Sequence, residues 1–117
     1  MKVKLYWLPH CSTCKKAKEF IEKKGFEISE FHDIKANRLS RKEVEKLAEL
    51  AGGAENLFSR WAIKYREMGL NEREVSSAEM LDLMASEYTF IKRPVLVVDN
   101  KATAGFSEKI YNEILQK

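Results

Sequence analysis

A β-rich run, an amphipathic helix and a second β-rich run open this chain with no linker between them, and that order leaves few folds open. Residues 3–8 are rich in strand formers and stopped by Pro9. Behind them Cys14, Ala17, Phe20 and Ile21 recur at helical spacing and give one apolar face. Lysines and glutamates fill the other faces, where Glu19 and Lys23 can pair one turn apart. Gly25 is placed to end the helix. "FEISEFHDI" then reads as a second strand. Strand, helix and strand in succession predict a βαβ unit with parallel strands and a right-handed crossover.

The middle of the chain reads as three helices. Ser40 and Glu43 form a capping-box pattern ahead of Val44, Leu47, Ala48 and Ala51, and Gly52-Gly53 ends that helix. Leu57, Phe58, Trp61, Ala62, Tyr65 and Met68 keep helical spacing as far as Gly69, so the second helix is expected to pack these side chains into the core. Ser76 and Glu79 repeat the capping-box pattern before Met80, Leu81, Leu83 and Met84. The last quarter changes character. "RPVLVVDN" is a strand opened by a proline, Asp99-Asn100 is turn chemistry, and "KATAGF" can return antiparallel. A final helix starts at Ser107 and carries Ile110, Tyr111, Ile114 and Leu115. The expected fold is therefore α/β: β-α-β, a helical insertion over about residues 36–92, then β-β-α. The 117 residues suit a single domain.

Composition excludes several classes. With 44% hydrophobic and 33% charged residues the chain is neither disordered nor membrane-embedded, and no run approaches the roughly 18 apolar residues of a membrane span. A net charge of +3, with signs alternating along the chain, gives no case for direct nucleic-acid binding. The first residues show no secretory leader, so the cytoplasm is the expected location. A permanent structural disulfide is not expected there.

Both cysteines, Cys11 and Cys14, stand as a CxxC pair where the first strand hands over to its helix. Unpaired N–H groups and the helix dipole favour a thiolate at that point, and three nearby lysines with His10 can add to the effect. Cys11 is thus the expected exposed nucleophile. Cys14, one turn on and facing inward, is the expected resolving thiol. Half of a zinc site and a pair of inert buried thiols are the alternatives. Structural zinc usually takes four ligands, and beyond the cysteines only His10 and His32 remain, with no second CxxC or HxxxH to supply a partner motif. Pro94, at the start of the third strand, is the residue expected to follow a cis bond and to turn against the CxxC.

The stretches "CSTCKKAKEFIEKKG", "LFSRWAIKYREMGL" and "IKRPVLVVDNKATAGFSEKIYNEIL" resemble the arsenate reductase (ArsC)/Spx family of thioredoxin-fold proteins. The resemblance spans nearly the whole chain and implies a thioredoxin-like, four-stranded mixed sheet. It implies an arsenate reductase-like thiol oxidoreductase with Cys11 as nucleophile. No cofactor would be bound, and glutathione with glutaredoxin, or thioredoxin, would be the electron donor. Arg93 matches an arginine that holds the oxyanion in the reductases, and Arg60 in "LFSRW" is the candidate for a second. Planar guanidinium forks suit such anions. Gly105 and Phe106 fall where the reductases carry a further arginine, and Trp7 stands where they have a histidine. The second cysteine of CxxC is absent from those enzymes and present in Spx-type regulators. The alternative function is therefore a redox-sensing transcriptional regulator that binds the α subunit of RNA polymerase. Such regulators usually run on past the last helix, whereas this chain stops at Lys117, which favours the enzyme. A zinc-binding or purely structural protein is the third reading. The expected partners are a small oxyanion or thiol/disulfide substrate and a redox protein, and the expected state is a monomer.

Overall fold

A computed structural model describes residues 1–116. Strand β1 (Val3–Trp7) leads into α1 (Ser12–Lys23), and β2 (Glu30–Asp33) follows. The insertion holds α2 (Arg41–Leu50), the short α3 (Ala54–Leu57) and α4 (Ile63–Glu67), and α5 (Ser77–Ser86). Strands β3 (Val95–Val98) and β4 (Lys101–Ala104) and helix α6 (Glu108–Ile114) complete the chain. The sheet order is β2-β1-β3-β4. β1 and β2 are parallel, with Leu5 opposite Phe31. β3 runs antiparallel to β1, with Leu96 opposite Leu5, and β4 antiparallel to β3. This is the expected four-stranded mixed sheet.

The period-two geometry of the central strands feeds two cores. Val3, Leu5, Leu96 and Val98 face α1 and α6, where they meet Ala17, Ile21, Tyr111 and Leu115. Tyr6 and Val95 face the insertion and pack with Val44, Leu47, Phe58, Met80 and Phe90. Helices thus cover both sheet faces, which is why β3 reads as a continuous apolar run and β1 is broken only by Lys4.

Local chemistry sets the element ends. Gly25 sits at φ +86° and its N–H bonds Glu22 O at 3.0 Å, closing α1 in a conformation that favours glycine. Asp99 turns β3 into β4 at φ +54°, and its carboxylate accepts from Lys2 N at 2.8 Å. The Ser40–Glu43 capping box is complete: Ser40 Oγ accepts from Glu43 N at 3.2 Å, and Glu43 Oε1 accepts from Ser40 N at 3.0 Å.

Four expectations are corrected. The second strand is shorter than "FEISEFHDI", because only Glu30–Asp33 pairs with β1. On α1, Lys18 pairs with Glu22 at 3.2 Å, while Glu19 and Lys23 do not pair. At Ser76–Glu79 only half a capping box forms. Ser76 Oγ accepts from Glu79 N, but the Glu79 carboxylate is held by the Arg73 guanidinium, with Nη1 to Oε1 at 2.8 Å. The largest difference is in the insertion. The helix expected from Leu57 to Met68 is broken, because residues 57–59 are tied to residues 90–92. Ser59 N donates to Phe90 O at 2.7 Å, Lys92 N to Leu57 O at 2.9 Å, and Phe58 bridges Ile91. That pairing needs extended backbone at Phe58, which a helix cannot supply. Leu57 and Phe58 are buried as expected, but Trp61 is 94% exposed and Met68 is exposed.

Candidate active site

Cys11 is the N-cap of α1, with extended backbone (φ −84°, ψ 124°). Its N–H bonds Leu8 O at 3.1 Å and closes the turn out of β1, and its own carbonyl accepts the first helical bond from Lys15 N at 3.0 Å. No side chain caps the helix, so the first amide donors face the Cys11 sulfur. Burial alone would raise the Cys11 thiol. The Cys14 amide and thiol, the Thr13 amide and the Arg93 charge outweigh it, and the net shift is downward. Cys14 is fully buried, and burial pushes its thiol up to about 12, with the Cys11 sulfur adding to the rise. Both cysteines are free thiols. The two environments therefore push the pair apart, with Cys11 half-exposed and acidic and Cys14 shielded and protonated.

Arg93 precedes Pro94 across the cis bond expected there, and Pro94 O accepts from Gly105 N at 2.8 Å. Cys11, Thr13, Ser59, Trp61, Arg93 and Phe106 line a cleft of about 440 Å³. Among the described residues that line it, Lys92 and Arg93 carry the charge, and both are positive. Arg93 Nη1 is buried with no hydrogen-bond partner among the described residues. Such a donor suits an anionic or acceptor-rich ligand.

The fold brings Cys11, Cys14, Arg93 and Pro94 into one region and leaves Arg60 at its edge. Arg60 is exposed, lies 6.0 Å from the centroid of the Phe58 ring, and is not among the residues lining the cleft. Its neighbours Ser59 and Trp61 are. Behind the bridge at Phe58 the chain turns through Arg60 and Trp61, which leaves Ser59 and Trp61 on the cleft and Arg60 outside it, an arrangement that helical spacing does not show. Gly105, at φ +87°, lines the cleft. Its carbonyl accepts from Tyr111 Oη at 2.9 Å. His10 is exposed, and His32 Nε2 is 2.7 Å from Asn37 O, away from the thiols. Among the described residues no group of three or more histidine, cysteine or acidic side chains could hold a metal ion. No helix is long and apolar enough to cross a membrane.

Alkylation with iodoacetamide should follow this asymmetry. Cys11 is expected to react first and to reach its plateau at lower pH than a free cysteine, because the thiolate is the reactive form. Cys14 should stay unmodified until the protein unfolds. Peptide mapping after short exposures across pH reads both rates. Faster labelling of Cys14 would reverse the two roles.

The sheet order, the cis proline and a paired thiol at a helix N-terminus define a thioredoxin-like protein. Residues 6–114 match the model of the ArsC family, and the chain belongs to that family. It is 39% identical over 116 residues to the uncharacterized protein YusI of Bacillus subtilis, covering 97% of this chain and 98% of that one. It is 26% identical over 107 residues to the global transcriptional regulator Spx of Streptococcus pneumoniae, covering 91% of this chain and 80% of that one. An arsenate reductase structure from Vibrio cholerae superposes with a TM-score of 0.84 over 98% of each chain. At 24% identity that likeness is one of fold.

Proposed function

We propose that this chain is a thiol-disulfide oxidoreductase of arsenate reductase-like type. Cys11 is the attacking thiolate, Cys14 the resolving thiol, and Arg93 the group that holds the polar or anionic part of the substrate. One observation carries the reading: an acidified Cys11 at a helix N-cap shares a positively charged cleft with Arg93, and a buried, protonated Cys14 lies one turn behind it. Cys11 attacks a sulfur of the substrate disulfide, forms a mixed disulfide and releases the first substrate thiolate. Cys14 loses its proton and attacks the Cys11 sulfur, releasing the second. The substrate gains two electrons, and the protein is left as the Cys11–Cys14 disulfide. Glutathione with glutaredoxin, or thioredoxin, returns the electrons, which places the chain in a reducing compartment such as the cytoplasm. The same cleft admits a small oxyanion such as arsenate.

Turnover of arsenate and of a small disulfide, each measured with the glutathione/glutaredoxin and thioredoxin systems, tests the reading. Arg93→Lys keeps the charge and loses the planar fork. It is expected to lower kcat/KM by about 10- to 150-fold, the cost of a lost charge-assisted hydrogen bond of about 1.5–3 kcal/mol. Unchanged kinetics would make Arg93 an ordinary cation of the cleft.

The similarity to Spx over 91% of this chain favours a second reading. In it Cys11 and Cys14 sense oxidants and the partner is the α subunit of RNA polymerase. Capture of that subunit by the oxidised protein, without turnover in either reductase assay, would select it.

A further inference from the structure

Beside the Cys11 cleft lies a second groove of about 490 Å³, and Ser59, Trp61 and Arg93 form the wall the two share. Trp61 and Ile63 line its lip, 94% and 78% exposed. Large apolar side chains displayed together at the mouth of a reactive cleft are surface that gains by being covered. Of the groove's other charges, Lys64 and Glu87 pair with each other, and the exposed Glu67 carboxylate has no ion pair among the described residues. Lys64 Nζ is 2.8 Å from Glu87 Oε2, and Glu87 also accepts from Thr89 Oγ1 at 3.2 Å. Arg93 has no ion pair among the described residues. Ser59 is only 8% exposed, and its Oγ accepts from Trp61 N at 3.3 Å while its own O–H donates to no described group. The shared wall thus offers two donors, Ser59 O–H and Arg93 Nη1, between an apolar lip and a thiolate.

We propose that this groove binds an extended polypeptide segment, and that the disulfide reduced at Cys11 is carried on that segment. An apolar side chain of the segment covers Trp61 and Ile63, and its peptide carbonyls accept from Ser59 and Arg93. The inference rests on the redox reading above and names its substrate class. Two features select a polypeptide. A small oxyanion or a bare disulfide uses the Cys11 cleft alone and leaves the second groove without an occupant. Glutathione, which carries two carboxylates, gains little from a groove where Lys64 is already taken by Glu87 and Glu67 adds an unpaired carboxylate beside an apolar lip. An extended chain with apolar residues near its cysteine matches both the lip and the paired donors. The chemistry is the two-step exchange already given, with peptide sulfur in the mixed disulfide on Cys11.

Single-turnover kinetics with pre-reduced full-length protein test this. Three probes are compared: 2-nitro-5-thiobenzoate joined by a disulfide to free cysteine, to glutathione, and to a short peptide with leucines flanking its cysteine. Release of the coloured thiolate reads the attack by Cys11. The peptide probe is expected to react at least about tenfold faster than the other two, as an aromatic anchor in an interface typically confers. In Trp61→Ala and in Ile63→Ser the ratio of peptide to free-cysteine rates should fall toward one. Both side chains are exposed, so the fold is not at risk, and circular dichroism confirms it. Equal rates for all three probes on the unmodified protein would overturn the groove and leave the thiol chemistry standing. A preference shared by glutathione and peptide, or one surviving in both variants, would also overturn it. Failure to react with any probe would remove the redox reading and this inference together.

Discussion

Replacing Cys14 with serine is expected to trap the substrate on Cys11 as a stable mixed disulfide, visible as a mass increase that dithiothreitol removes. The buried Cys14 thiol is placed to attack the Cys11 sulfur once Cys11 is no longer an anion, and serine lacks the nucleophile for that step. Attack on the substrate should survive, because the N-cap amides that favour the Cys11 thiolate are backbone groups. Cys11→Ser should abolish the reaction altogether, as no other thiol reaches the cleft surface. Peroxide treatment of the unmodified protein should give an intramolecular Cys11–Cys14 bond, seen as a loss of two hydrogens. Full turnover of Cys14→Ser with glutathione would assign resolution to the external thiol. Formation of neither a disulfide nor a glutathione adduct at Cys11 would leave the pair structural.

Phe58→Ala should be the most damaging substitution in the insertion, lowering stability by about 3–5 kcal/mol in urea denaturation. The Phe58 ring is fully buried and stacks on Phe90 at 5.5 Å between centroids, with Tyr65 edge-on at 6.1 Å. Removing it opens a cavity where it supplies the ring contacts to Phe90 and Tyr65, and a domain of this size has only about 5–15 kcal/mol to lose. The effect should extend to the site. Residues 57–59 hold Ser59 against the Arg93 segment through the bonds to Phe90 and Lys92, so a loosened Phe58 frees the shared wall of both cavities. Weakened discrimination between peptide and small probes, measured below the unfolding transition, would accompany the loss. A change under about 1 kcal/mol would show that the insertion packs independently of this ring.

The sheet and its flanking helices were legible because their determinants are local. Residues 95–98 are a continuous apolar run, residues 3–8 are strand formers broken only by Lys4, Cys14, Ala17 and Ile21 repeat at helical spacing, and Ser40 with Glu43 marks a helix start. Each of these features acts within a few residues along the chain, so the sequence displays it directly. The same holds for the reactive thiol. A cysteine between a strand and a helix becomes an N-cap whatever surrounds it, and the backbone donors come with the position.

Residues 57–68 show what the sequence by itself did not determine. Their spacing suits one packed helix, yet Phe58 is extended, Trp61 faces solvent and the segment is pinned to Phe90 and Lys92. Backbone hydrogen bonds to residues 90–92, more than thirty residues away, override the local preference, and no periodicity records a partner at that distance. Tertiary structure alone therefore decided that Ser59, rather than Arg60, joins Arg93 in the wall beside Cys11, and that Trp61 stands at the lip of two cavities instead of in the core. The sequence set Cys11 at a helix start, where the backbone donors favour a thiolate, because helix ends create their own field. Long-range pairing set what Cys11 faces, because only the folded chain brings residues 59–61 and 93 together.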